Sequence, residues 1–219
     1  MSDARGVFVV GTDTGIGKTV VAGGLTRALR REGVDARPHK PVESGGRDDT
    51  RFLAEAADAS PDGICPFFLD EPLAPKVAAE RSGRTLAEDS MRPPSEDDGF
   101  TVAEGVGGLR VPLTRSLSLA ELVADAELPA IVVARPSLGT LNHTALTVEA
   151  LRRRGVTVSG VVINRFPDEP GVAERTNPGE IERVNGVPTR TLPEIDPVTP
   201  SNAADSVVEA DLLDLLDVP

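Results

Sequence analysis

Tryptophan and tyrosine are absent from this 219-residue chain, and it has only one cysteine, two methionines and two histidines. A single thiol, Cys65, cannot close an internal disulfide and reads as a packed or semi-buried side chain. His39 and His143 lie too far apart in sequence to offer the ligand spacing of a zinc site. No run approaches the ~18 apolar residues that a membrane span requires, and the first residues lack the charged-then-apolar pattern of a secretory leader. The expected home is the cytoplasm. Lysine is scarce as well: Lys18, Lys40 and Lys76 are the only ones among 23 basic residues, which face 35 acidic ones. A net charge of −12 argues against nucleic acid and anionic membranes as partners. Excess acid, with arginine in place of lysine, is the pattern of a halophilic protein, in which dense salt screens self-repulsion.

What is present is the makeup of a globular α/β chain, 39% hydrophobic, of a length that suits one domain spanning 1–219. Apolar, β-rich runs alternate with helical patterns from end to end. Strands are expected at Gly6–Val10, Ala36–Pro41, Phe100–Glu104, Ile131–Ala134, Val158–Ile163 and Thr189–Leu192. Helices are expected at Lys18–Arg31, Asp49–Ala57, Lys76–Glu80, Leu141–Arg154 and Ala203–Leu216, the fourth stopped by Gly155. Glu88–Asp98, with Pro93-Pro94 and a cluster of acids, reads as a surface loop. Near-continuous apolar strands separated by helices imply a single doubly wound domain: a mostly parallel sheet with helices on both faces, like the phosphate-loop NTPases. Such folds place ligands beyond the carboxyl ends of the strands.

Three stretches carry chemistry. Gly11-Thr12-Asp13-Thr14-Gly15-Ile16-Gly17-Lys18-Thr19 lies directly between a strand and a helix, where converging backbone N–H groups and the helix dipole favour phosphate. In that pattern Lys18 reaches the β/γ-phosphates and Thr19 ligates Mg²⁺, although Thr12 stands where the usual motif has glycine. Lys40-Pro41-Val42-Glu43-Ser44-Gly45 ends the second strand. A lone lysine is usually a solvated charge, but one at this place in a chain so poor in lysine reads as a second phosphate clamp. The acid pair Asp48-Asp49 follows; in an acidic protein it is by itself weak evidence for a metal site. Glu104-Gly105-Val106-Gly107-Gly108 puts a carboxylate at a strand's end, as in the metal sites of phosphate-loop enzymes, followed by glycines that let backbone approach a ligand. A plain strand-ending turn is the competing reading.

Taken in order, these motifs resemble those of the dethiobiotin synthetases. So do Pro72-Leu73-Ala74-Pro75, Leu138-Gly139-Thr140-Leu141-Asn142-His143, Val161-Val162-Ile163-Asn164 and Leu192-Pro193-Glu194-Ile195, and the likeness covers nearly the whole chain. The resemblance implies an ATP- and Mg²⁺-dependent ligase acting on 7,8-diaminononanoate and CO₂ or bicarbonate. It assigns ATP to Gly15, Ile16, Gly17, Lys18, Thr19, Val20, Asp49, Glu104, Gly105, Val106, Gly107, Asn164, Arg165, Pro193 and Glu194, with Asn164 reading the adenine. Metal is implied at Thr19, Asp49 and Glu104, with Asp49 preferred to Asp48 on its spacing to the following helix. Lys18 and Lys40 would stabilise the transferring phosphoryl group. The diamine would meet Ser44 and, through its carboxylate, Gly139, Thr140, Leu141 and Asn142 across a homodimer interface. Two departures stand out: the segment before Glu104 is shorter than in the family, and Gly15 replaces an acid found in some members. The rival is a partitioning-type switch ATPase of the same fold; those proteins place a signature lysine where this chain has Asp13.

Overall fold

The computed structural model describes residues 5–94 and 99–217. Its main sheet has six strands, β1 (Gly6–Gly11), β2 (Ala36–His39), β5 (Phe100–Glu104), β6 (Ala130–Ala134), β7 (Val158–Phe166) and β8 (Thr189–Pro193). They run in the order β2-β5-β1-β6-β7-β8, and every neighbouring pair is parallel. A separate two-stranded parallel ladder joins β3 (Glu43–Ser44) to β4 (Phe68–Leu69). The helices are α1 (Lys18–Arg31), α2 (Asp48–Ala57), α3 (Pro75–Ser82), α4 (Leu119–Asp125), α5 (Thr140–Arg152), α6 (Val172–Asn185) and α7 (Pro200–Glu209).

Both faces of the sheet are covered because side chains alternate along each strand. In β1, Phe8 and Val10 enter one core, with Leu119 and Leu122 of α4 and Val148 and Leu151 of α5. Val7 and Val9 enter the other, with Val21 and Leu25 of α1, Leu53 of α2 and Val207 of α7. The central strands β1 and β6 are buried at every position, which explains their unbroken apolar runs. No described helix is long and apolar enough to cross a membrane.

Each expected strand and helix has a counterpart; α1 and β5 have the expected bounds, and the others have shifted ends. The last helix begins earlier, at Pro200, and stops at Glu209; Asp211 then turns the chain at φ 53° into a short 3₁₀ turn, Leu212–Leu215. The expected loop at Glu88–Asp98 begins instead as a 3₁₀ turn, Glu88–Met91, and Met91 is wholly buried. Residues 95–98 of that loop lie outside the described residues. Helices α4 and α6 had no counterpart in the sequence reading.

Candidate active site

The carboxyl ends of β1, β2 and β5 meet at one cleft. The turn from β1 into α1 has Gly15 at φ 70° and Gly17 at φ 90°, left-handed conformations that favour glycine. Gly17 is the N-cap of α1, which has no side-chain cap and no acid in its first turn. Its free amides and positive dipole end are therefore available to an anion. The turn is tied to the sheet by Thr12 N–H donating to the Val133 carbonyl at 3.0 Å.

Charge beside this loop is buried and cross-linked. Lys40, just past β2, is 1% exposed, and its Nζ donates to Asp49 Oδ2 at 2.5 Å and to Glu104 Oε1 at 2.8 Å. Glu104, the last residue of β5, is also 1% exposed and accepts from the Thr19 hydroxyl at 2.8 Å. Burial alone would lower the Lys40 pKa, but the Glu104 and Asp49 carboxylates outweigh it and hold the ammonium well above the usual lysine value. Burial pushes the Glu104 carboxyl up, and Lys40 works against that. Asp49 would likewise be raised by burial, but the Lys40 ammonium overrides this and lowers it. Lys18 is lowered by burial, with Glu104 acting the other way, and its Nζ donates to the Asp13 carbonyl at 2.9 Å.

Thr19, Lys40, Asp49 and Glu104 thus form one cluster, assembled from three separate sequence motifs. Of the acid pair, Asp49 is the one that turns inward. The Asp48 side chain is 93% exposed and meets only Arg51 among the described ion pairs. A cleft of about 400 Å³ lies over the cluster, lined by Gly15, Lys18, Thr19, Ser44, Gly105, Gly107 and Arg165 among others. The Ser44 hydroxyl in this cleft is buried without a hydrogen-bond partner.

The donor set fits Mg²⁺. Thr19 and the two carboxylates are hard oxygen ligands, and Glu104 Oε2 is buried without a partner. Among the described residues no group of three or more His, Cys, Asp or Glu side chains is arranged to hold a metal ion.

The remaining expected residues fall into two places. Asn164, near the end of β7, is buried and donates from Nδ2 to the Ile16 carbonyl at 2.9 Å. A Cβ added to Gly17 would lie 1.9 Å from that same nitrogen, so Asn164 braces the phosphate loop directly. Arg165 follows at φ 56°, and its guanidinium donates to the Gly15 carbonyl at 3.1 Å. Pro193 pairs in register with Phe166 at the end of β8, and both Pro193 and Glu194 are exposed. The other place is the start of α5, outside the cleft lining. There Gly139, at φ 94°, is an N-cap without a side-chain bond. Thr140 is buried with its hydroxyl unpartnered, whereas Leu141 and Asn142 are exposed and Leu138 is 89% exposed.

Sequence reasoning missed Arg135. It follows β6 and pairs with Asp13, whose carboxyl is lowered first by the Thr14 amide and further by Arg135. The signature-lysine position of the switch ATPases therefore holds an acid, already engaged within the same chain. Nothing in the sequence linked the two residues; only the neighbouring ends of β1 and β6 bring them together.

A family model described as an AAA domain matches residues 5–202. The chain is 46% identical over 207 residues to the ATP-dependent dethiobiotin synthetase BioD of Haloferax mediterranei, covering 92% of this chain and 89% of that protein. It is 39% identical over 209 residues to the protein of the same name from Bacillus licheniformis, covering 90% and 89%. Among solved structures, apo McdA from Cyanthece superposes with a TM-score of 0.59 at 14% identity, covering 97% of this chain and 95% of that one. A ParA family ATPase from Chlorobium tepidum superposes with a TM-score of 0.56, also at 14% identity, covering 96% and 93%. At that identity the two structures share the fold alone.

Proposed function

The chain belongs to the ATP-dependent dethiobiotin synthetases, ligases that form C–N bonds, and on that premise we propose how its residues divide the work. The substrates are 7,8-diaminononanoate, CO₂ or bicarbonate, and ATP. One amine takes up CO₂ as a carbamate. A carbamate oxygen then attacks the γ-phosphorus, giving a carbamic–phosphoric anhydride and ADP. The second amine attacks the anhydride's carbonyl carbon and expels phosphate, closing the cyclic urea.

The observation that carries this reading is the buried Lys40 ammonium, held between Asp49 and Glu104 beside the phosphate loop. Phosphoryl transfer needs positioning and charge stabilisation more than a nucleophile. The amides of Gly15 to Val20 and Lys18 cradle the triphosphate, and Lys40 faces the transferring group with a fixed positive charge. Because that charge is already desolvated and oriented, little reorganisation is needed as the transition state forms. Thr19, Asp49 and Glu104 would hold Mg²⁺. Bound Mg²⁺ would neutralise charge on the β- and γ-phosphate oxygens.

Gly105, Val106 and Gly107 let the backbone pass close to the nucleotide. Asn164, Arg165, Pro193 and Glu194 form the base side, with Asn164 also setting the loop. Ser44 offers its unpartnered hydroxyl to the diamine or its carbamate. Thr140 N–H is taken by the Ser137 carbonyl at 3.2 Å, but the Leu141 and Asn142 amides at the start of α5, where Gly139 supplies no side-chain cap, suit the substrate's carboxylate, and the exposed Leu138 and Leu141 suit a second copy of the chain that completes this pocket. The enzyme is a single-domain homodimer of the cytoplasm.

ADP release with ATP, Mg²⁺ and bicarbonate, measured with and without the diamine in dilute buffer and in molar KCl, tests the reading. Diamine-dependent release with a cyclic urea seen by mass spectrometry is expected, with a gain in molar KCl. Hydrolysis indifferent to the diamine would favour a switch ATPase, and full activity in dilute buffer with no gain in KCl would end the halophilic reading.

A further inference from the structure

Helix α2 begins without a cap of its own. Arg47 stands at its N-cap and makes no side-chain hydrogen bond to the first turn, where the opening amides have no partner inside the helix. Glu43 reaches them from β3. Its Oε1 accepts from Asp49 N–H at 3.0 Å, and its Oε2 accepts from Thr50 N–H at 3.0 Å and from the Thr50 hydroxyl at 2.5 Å. Glu43 is 5% exposed, and its own amide is held by the Phe67 carbonyl at 2.9 Å. A carboxylate taking three donors at the positive end of a helix is a strong, charge-assisted brace.

The brace acts on the residue that matters to the cluster. Asp49 is gripped at its amide by Glu43 and at its carboxylate by Lys40. The intervening chain turns at Gly45, at φ 87°, whose amide is held by the Leu69 carbonyl at 2.8 Å, and runs through Gly46 into α2. We propose that Glu43 is a positioning residue for the ligase reaction: by capping α2 from β3 it fixes the Asp49 carboxylate against Lys40 at the metal-nucleotide site. The inference rests on the reading of Asp49 as a metal-holding carboxylate. A glutamine at this position keeps one acceptor but turns an NH₂ toward a helix N–H, so only one half of the brace survives.

The test follows Mn²⁺ binding by electron paramagnetic resonance, with a non-hydrolysable ATP analogue, in wild type, Glu43→Gln, Thr50→Val and Asp49→Asn. Glu43→Gln should weaken Mn²⁺ about tenfold, the usual cost of losing a partner that orients a metal ligand. Its Mg²⁺ half-saturation for turnover should rise in step, while KM for the diamine stays within about twofold. Thr50→Val removes only the hydroxyl contact and should weaken Mn²⁺ about threefold; it carries the test if Glu43→Gln does not fold. Wild-type Mn²⁺ binding in both brace variants, with Asp49→Asn weakened, would overturn the role of Glu43 and leave Asp49 in place. Wild-type binding in Asp49→Asn would overturn the metal reading and this inference with it. A Glu43→Gln defect that raises the Mg²⁺ and diamine constants equally would reduce Glu43 to a helix cap.

Discussion

The two halves of the proposed site differ in how far one chain completes them. On the nucleotide side Lys18, Lys40 and Glu104 are buried, and Lys40, Thr19, Asp49 and Glu104 are joined by hydrogen bonds. At the start of α5 the opposite holds: Gly139 leaves the helix uncapped, the Thr140 hydroxyl has no partner, and Leu138 and Leu141 face solvent. The first half is cross-linked by its own side chains. The second has the apolar exposure and unspent donors of a surface that another molecule covers. On the proposed assignment, charge that acts on the transition state is fixed within one chain, while recognition of the remote end of the substrate is left to the open surface at α5.

The sharpest way to break this contrast is Lys40→Ala. It removes a preorganised charge, so kcat should fall by about a hundredfold or more, while nucleotide affinity, followed with a fluorescent ATP analogue, stays near wild type. Near-normal turnover would take Lys40 out of the mechanism. Leu138→Asp probes the other half: sedimentation should show monomers, and KM for the diamine should rise about tenfold with KM for ATP unchanged. A dimer with normal diamine kinetics would separate α5 from the interface.

The smallest effect concerns His39, at the end of β2 beside Lys40. It is buried, with Nε2 bonded to the Met91 carbonyl at 3.0 Å, and burial lowers its pKa from the ordinary 6.5. The unfolded chain therefore takes up a proton that the native state refuses. Stability is full above 6.5 and is lost as pH falls below it toward the native value. Urea unfolding at about pH 7.5 and about pH 5.5 should show a loss of order 1 kcal/mol in wild type that is reduced in His39→Gln, which keeps a donor for Met91. Equal losses would show that other groups set the acid sensitivity.

Much of the nucleotide half was legible in the sequence because its signals are local. A glycine turn between a strand and a helix, and an acid at the end of an apolar run, mark Gly15 to Thr19 and Glu104 without knowledge of the fold. Spacing prefers Asp49 to Asp48 as a metal ligand; what the structure adds is the placement of the two side chains, Asp49 against Lys40 and Asp48 in solvent. Other features were hidden for equally physical reasons. Helix α6 contains Pro178 and buries Asn177, Ile181 and Asn185, so it presents almost no apolar stripe. Helix α4 has seven residues, and β3 and β4 have two each, too few for a period to register. The Asp13–Arg135 and Asn164–Ile16 contacts depend on strand order, which no local pattern encodes.

The near-contact between Gly17 and Asn164 also restricts the routes by which related sequences can diverge. A methyl group at position 17 would overlap the Asn164 amide, and the φ of 90° there already disfavours any side chain. A smaller residue at 164 opens space but releases the Ile16 carbonyl, whereas the reverse order meets the overlap first. The two positions, far apart in the gene, are therefore coupled: a side chain at the loop glycine requires the Asn164 amide to move off the Ile16 carbonyl or residue 164 to change.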